Sequence, residues 1–73
     1  MTTRDLDHRL WRVRRRHDSI EAYLRPGQSG WSLQFARNGR VLVTRSFHTR
    51  REAMTAADER RKEFERVGWN EHW

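Results

Sequence analysis

Arginine is the residue type through which this sequence can best do chemistry. Fifteen of the 16 basic side chains are arginines, and the formal net charge is +6. Guanidinium groups make planar, forked contacts with phosphate and carboxylate groups. The charge is uneven, because residues 1–51 carry 12 basic and four acidic side chains, whereas residues 52–73 carry four basic and six acidic ones. The basic part predicts an anionic partner, with DNA or RNA as the first candidate.

Other reactive side chains form no catalytic or metal-binding pattern. The chain has no cysteine, which excludes disulfides, thiolate metal ligands and thiol nucleophiles. Gly27 and Gly30 lack the strand-loop-helix context of a phosphate-binding loop. The four histidines have no metal-ligand spacing; they are His8, His17, His48 and His72. We therefore expect no enzyme, no metal and no small-molecule cofactor.

The length of 73 residues, with 34% apolar side chains, predicts a single small domain with one thin core. Residues 1–9 are expected to form a flexible arm, and residues 10–73 the domain. No apolar run approaches the roughly 20 residues of a membrane span, and the first residues lack the apolar core of a signal peptide. We expect a cytoplasmic protein with no membrane partner.

Two alternating runs near the start predict a first pair of strands. Trp11 and Val13 alternate with arginines, and after a break at residues 17–19 the pattern resumes at Ile20 and runs to Arg25. A four-residue connection would place Trp11 opposite Leu24 and Arg14 opposite Glu21. A short helix is the alternative for residues 18–25, because Asp18 and Glu21 have the spacing of a capping box.

Asn38-Gly39 separates two further alternating runs and predicts a hairpin. A three-residue loop, 37–39, keeps the apolar residues of both runs on one face, with Gly39 as a left-handed bulge residue. In that register Phe35 lies opposite Val41, and Leu42 faces outward. Arg45 then lies across from Trp31, where a cation-π contact is expected.

Thr49 followed by Glu52 predicts a capping box and the start of a helix that runs to about Val67. Gly68 is expected to cap the helix, and Trp69 to fold back onto its last turn. One helical stripe should face the sheet, and it contains Ala53, Ala56, Ala57, Arg60, Phe64 and Val67. Arg60 should snorkel or pair with an acid. Trp11, Trp31 and the terminal Trp73 are expected to pack in or against the core.

The predicted fold class is α+β, an antiparallel meander of three to four strands with one C-terminal helix packed on one face. The uncovered face is then rich in arginine and predicts a non-enzymatic nucleic-acid-binding module. Two further arginines at the helix start are expected to grip phosphate. The predicted nucleic-acid-binding residues are Arg12, Arg14, Arg16, Tyr23, Arg25, Gln34, Arg40, Thr44, Arg50 and Arg51. The alternative is a protein-interaction module or a homodimer formed through an edge strand.

Two resemblances accompany these patterns. Residues 30–73 resemble small uncharacterised bacterial proteins with a β-sheet and a C-terminal helix ending in Gly-Trp, which implies an autonomous domain without an assigned activity. The hairpin followed by Phe-x-Thr-x-x-Glu-Ala is similar to the sheet-plus-helix DNA-binding domains of ethylene-response factors and recombinase arm-binding domains, whose sheets enter the major groove. The second match covers only the packing and capping positions Phe47, Thr49, Glu52 and Ala53, and an analogy of fold alone does not transfer function.

Overall fold

The computed structural model describes residues 8–71, which form one four-stranded antiparallel sheet and one helix. The elements are β1 (His8–Arg15), β2 (Asp18–Pro26), β3 (Trp31–Arg37), β4 (Arg40–Phe47) and α1 (Arg50–Arg66). The strands lie side by side in chain order, so the predicted α+β meander with a C-terminal helix is confirmed. Residues 18–25 form a strand and not a short helix.

The predicted boundary between arm and domain falls inside β1. This strand begins at His8, two residues before the expected start, and its register shifts between Arg9 and Trp11. The bulge at Leu10 breaks the alternation, which is why periodicity alone misses the first two residues. The rest of the predicted arm, residues 1–7, and the terminal residues His72 and Trp73 lie outside the described residues.

One side of the sheet, the helix face, is covered by α1. Alternate residues of the first three strands point to this side, as predicted, and form most of the buried core with α1 and Trp69. Ala53 and Ala57 of α1 are fully buried, and their small side chains let the helix approach the sheet. The indole of Trp11 consequently donates a hydrogen bond to the carbonyl of Ala57 at 3.1 Å.

Both ends of α1 follow the sequence signals. The Thr49 hydroxyl accepts a hydrogen bond from the amide of Glu52, whose carboxylate accepts one from the amide of Thr49. At the other end Gly68 has φ 104°, and the amide of Trp69 bonds to the carbonyl of Phe64 at 3.0 Å. The Trp69 and Phe64 rings meet edge to face. This is a Schellman end with its hydrophobic contact.

The first hairpin has the predicted faces but the wrong predicted register. Arg15 pairs with Asp18, so the connection has two residues instead of four. Trp11 therefore lies opposite Ala22 and not Leu24. Arg16 adopts φ 57° in this turn, a left-handed conformation that side-chain pattern does not reveal.

The predicted register of the second hairpin is also wrong. Arg37 pairs with Arg40 across the two-residue turn Asn38-Gly39, in which both residues have positive φ. The ladder then shifts by one residue at Leu42. The Asn-Gly turn is the standard two-residue connection. The three-residue loop was predicted because it keeps the apolar residues of β4 on the inward face, and the bulge achieves this for Val43 and Phe47.

This shift changes which residues of β4 meet the core. Phe35 lies opposite Val43 instead of Val41, and Trp31 lies opposite Phe47 instead of Arg45. The expected cation-π contact between Arg45 and Trp31 is therefore wrong.

The remaining departures concern exposure. Trp31 is only partly buried, whereas Trp11 and Trp69 belong to the buried cluster, as predicted. Val67 is 61% exposed, because it is the C-cap and Trp69 folds over the helix end in its place. Arg60 behaves as predicted, since it pairs with Glu63 at 3.4 Å.

The chain that follows α1 returns to the sheet. Asn70 forms two backbone hydrogen bonds with Arg14, of 2.8 and 3.1 Å, and so pairs with the outer edge of β1. Trp69 is held beneath Arg15 and Arg37, whose guanidinium carbons lie 5.2 and 6.0 Å from its ring centre. Within residues 8–71, no helix has the length and apolar content needed to cross a membrane.

Candidate functional site

The open face of the sheet is the side opposite α1. The register places alternate residues of all four strands on it, in rows that run across the sheet. The rows are Arg9, Tyr23, Gln34 and Thr44; Arg12, Glu21, Ala36 and Val41; and Arg25, Ser32 and Ser46. Arg14 lies opposite Ser19 at one end. Six of the ten predicted site residues share this face: Arg12, Arg14, Tyr23, Arg25, Gln34 and Thr44.

Glu21 is the only acidic residue in these rows, and it organises the basic ones. Its carboxylate lies 3.2 Å from the guanidinium of Arg9 and 3.6 Å from that of Arg12. The Glu21 side chain is only 13% exposed, whereas the two arginine side chains are 50% and 36% exposed. The carboxylate is therefore covered, and the guanidinium groups form the outer layer that a ligand would meet.

Tyr23 belongs to the same cluster. Its pKa is raised above the usual value, first by burial and second by the hydrogen bond that its hydroxyl donates to Glu21. The phenol is thus neutral at physiological pH, and its ring stays partly exposed between two rows. Arg9 and Tyr23 are cross-strand neighbours, so the aromatic ring is bordered by a cation.

Four of the predicted site residues lie away from the open face. Arg16 sits in the β1–β2 turn, and Arg40 pairs with Arg37, which faces Trp69 on the helix side. Arg50 and Arg51 open α1. Leu42, which was expected on the open face, lines a groove on the helix side with Val43 and Phe35.

Charges on α1 are compensated within the helix. Arg61 bridges Asp58 and Glu65, and Lys62 lies 3.3 Å from Asp58. These pairs are spaced three or four residues apart, where side chains of a helix are neighbours. The helix therefore adds little net field, and the open face is a basic surface with four arginines against one glutamate.

Sequence reasoning missed two residues of interest. Arg9 joins the open face because of the bulge at Leu10, which alternation does not signal. Trp31 was expected in the core but lines a groove of about 190 Å³ beside the β2–β3 loop, with Ser32, Ser46 and His48 among its walls. Its position at the start of β3, directly after a glycine-containing loop, is the one sequence signal that could have indicated this.

The comparisons add no relative to these observations. No family model matches the chain, and no curated protein or solved structure gives a significant match. Residues 8–71 also contain no group of three or more histidine, aspartate or glutamate residues arranged to hold a metal ion. The function must be argued from the surface itself.

Proposed function

We propose that this protein is a non-enzymatic nucleic-acid-binding module that uses the open face of its sheet. The observation that supports this proposal most directly is the composition of the open face. Its only acidic residue among those rows is Glu21, and its arginines are Arg9, Arg12, Arg14 and Arg25. Guanidinium groups bind phosphates and fix the register of a protein on nucleic acid. Gln34 and Thr44 lie in the next two strands and supply donors and acceptors of the kind that read base edges.

The dimensions of the sheet support the proposal. Neighbouring strands lie about 4.8 Å apart, so β1 to β3 span about 10 Å. The major groove of duplex DNA is about 12 Å wide and admits β-ribbons. Glu21 restrains Arg9 and Arg12 through ion pairs, so phosphate competes with this carboxylate for the two guanidinium groups.

The test is a fluorescence-anisotropy titration over a series of salt concentrations, with duplex DNA, single-stranded DNA and duplex RNA. Affinity should fall with salt, with a log-log slope near −0.9 per phosphate neutralised on duplex DNA. The double variant Arg12→Ala/Arg14→Ala should bind more weakly and lower that slope by about two. Glu21→Gln should bind more tightly, because it removes a competing anion while preserving the shape of the side chain.

A matched control separates this face from net charge. The variant Arg50→Ala/Arg51→Ala also removes two positive charges, but from the start of α1. If both double variants weaken binding equally, the open face is not the interface and the proposal fails. Binding to heparin with no preference for nucleic acid also contradicts it.

A second candidate function is protein interaction, and one observation favours it. Val41, Leu42 and Val43 are 50%, 59% and 46% exposed on the edge strand β4. Adjacent exposed apolar residues on an unpaired edge are typical of a contact surface. This function predicts a complex whose formation in sedimentation experiments is indifferent to added DNA.

A further inference from the structure

The two edges of the sheet differ. The outer edge of β1 is paired with Asn70 at Arg14. No strand among residues 8–71 pairs with the outer edge of β4, which is the last strand of the sheet. Backbone amides and carbonyls on such an edge are a template for an added strand.

The side chains of β4 make this edge apolar on both sides of the sheet. Val41 pairs with Ala36 and faces the open side, whereas Val43 pairs with Phe35 and faces the helix side. Leu42, at the bulge, lines with Val43 a groove of about 140 Å³ that reaches Phe64. An added strand alternates its side chains between the two sides and would therefore cover apolar surface on both.

The bulge limits where regular pairing can occur. The ladder between β3 and β4 is regular from Val43 to Phe47 and shifts at Leu42. Five residues are close to the length of an ordinary strand. The regular part of the edge can thus hold one short extended segment, whose end would lie over the exposed Leu42.

The charges around this edge select the partner. β4 contains Arg40 and Arg45 and no acidic residue, and neither arginine forms an ion pair within residues 8–71. Glu59 and Glu63 border the same groove as Arg45 without pairing with it. Two copies of β4 placed side by side would bring like charges together, whereas an acidic strand would complement them.

We propose that β4 binds an extended acidic segment of another protein by strand addition, with carboxylates placed near Arg40 and Arg45 and apolar side chains against Val41, Leu42 and Val43. This inference rests on the second candidate function and is independent of nucleic-acid binding. Backbone pairing supplies the geometry, the apolar contacts supply buried area, and the two arginines set the sign of the partner's charge.

The probe is an end-blocked peptide of about nine residues, within the usual length of a strand. It carries glutamate at the positions that would face Arg45 and Arg40 and valine at those that would face Val43 and Val41. It is titrated into the full chain, and amide shifts are followed by heteronuclear NMR. Shifts should cluster in β4 and the facing residues of β3. A peptide with lysine in place of glutamate should not bind, and one with a central proline should lose binding because proline removes a ladder donor.

Charge reversal provides the sharpest variant. Arg40→Glu/Arg45→Glu should weaken binding of the glutamate peptide at least tenfold and allow the lysine peptide to bind. Both positions are exposed, so the fold should survive, as circular dichroism would verify. The control Arg12→Ala/Arg14→Ala, on the open face, should bind the peptide within about twofold of the unaltered chain, since exposed charges far from a contact contribute little.

Three results would overturn the proposal. Equal binding of the proline-containing peptide would exclude strand addition. Shifts centred on the open face would indicate nonspecific attraction of an anion. A concentration-dependent dimer with shifts in β4, and no peptide binding, would make a second copy the occupant, in which case the broader protein-interaction function would survive while the acidic partner would not.

Discussion

The side-chain amide of Asn38 donates a hydrogen bond to Asp18 at 3.1 Å and so joins the turn of the second hairpin to the start of β2. Asn38 also accepts a bond from the backbone amide of Ser19 at 2.9 Å. Arg37 lies 3.0 Å from the other carboxylate oxygen of Asp18. The two hairpin turns are thus held together at one end of the sheet by the exposed Asp18 carboxylate and by the bonds between Asn38 and Ser19.

This cluster predicts an acid-sensitive contribution to stability. The pKa of Asp18 is lowered below its usual value, first by the hydrogen bond from Asn38 and second by that from Arg37. Because the folded state favours the charged carboxylate, the contribution is fully present above the pKa of the unfolded chain and is lost as pH falls through the lower folded pKa. Urea unfolding between about pH 6 and pH 2 should show this loss, and Asp18→Asn should show a smaller one, because the pKa of Asp58 is lowered as well, first by the hydrogen bond from Arg61.

The variant Asn38→Gly tests the same cluster by removing the side-chain amide that donates to Asp18. Glycine tolerates the positive φ of this turn position, so the variant removes the amide and leaves the turn. The acid-induced loss should then move to higher pH than in the unaltered chain. An unchanged dependence of stability on pH would mean that the hydrogen bond from the Asn38 amide does not lower the pKa of Asp18.

Glycines of the β2–β3 loop and of the β3–β4 turn should differ in their tolerance of alanine. A Cβ at Gly30 would lie 2.3 Å from the carbonyl oxygen of Phe47, so backbone must move, and we expect a loss of about 1–3 kcal/mol. Gly39 has φ 86° but no atom within 4 Å of such a Cβ, so its cost is the left-handed conformation, about 1 kcal/mol. Gly27→Ala is the control, with ordinary contacts of 3.5 Å and longer. Urea titrations that place Gly27→Ala last among the three in stability would contradict this assignment.

Arg16 should be replaceable by glycine with a gain in stability. Its φ of 57° costs an ordinary residue about 1 kcal/mol that glycine does not pay. The bond from the Arg14 guanidinium goes to the backbone carbonyl of Arg16 and survives the change. Arg16→Gly should raise the melting temperature by up to about 4 °C in a domain of this size, because the greater entropy of glycine in the unfolded chain offsets part of the gain. His17→Gly, at a position without positive φ, should lower it.

Trp11 and Trp31 should contribute unequally to the free energy of unfolding. Trp11 is 8% exposed, donates to Ala57 and meets the Phe35 and Phe64 rings. Trp11→Ala should therefore cost about 3–5 kcal/mol. Trp31→Ala should cost less than half as much, because Trp31 is only partly buried at the loop groove. If both variants lose the same free energy of unfolding in urea titrations, Trp31 contributes to stability as a core residue would.

The sequence predicts the elements well because each is signalled locally. Alternation at Trp11 and Val13 identifies a strand and its inward face, and Thr49 with Glu52 identifies the start of α1. Pairing register is different, because it depends on turn length and bulges that keep the same apolar pattern. The two-residue turn sets the partners of Arg40 and Val41, and the shift at Leu42 changes those of the rest of β4, while Phe35 stays on the helix face.

The candidate site could be predicted to the same extent. The open face contains Arg12, Arg14 and Arg25, as predicted. Side chains alternate between the two faces with a period of two, so an error of two residues in pairing register leaves each side chain on its predicted face. Arg40 does not lie on the open face, since its side depends on the turn being two residues long. The exposed valines of β4 were not foreseeable either. Val41 faces the open side because the turn has two residues, and alternation places Val43 on the inward side without showing whether the helix extends far enough to cover it.

The bond pair between Arg14 and Asn70 has a consequence for assembly. Sheets that stack edge to edge without limit need two free edges on each molecule, so that every added copy offers a new template. Here the first edge is occupied at Arg14 by the chain's own continuation. A second copy therefore cannot pair with β1 through the backbone of Arg14, which leaves β4 as the more receptive of the two edges for an added strand.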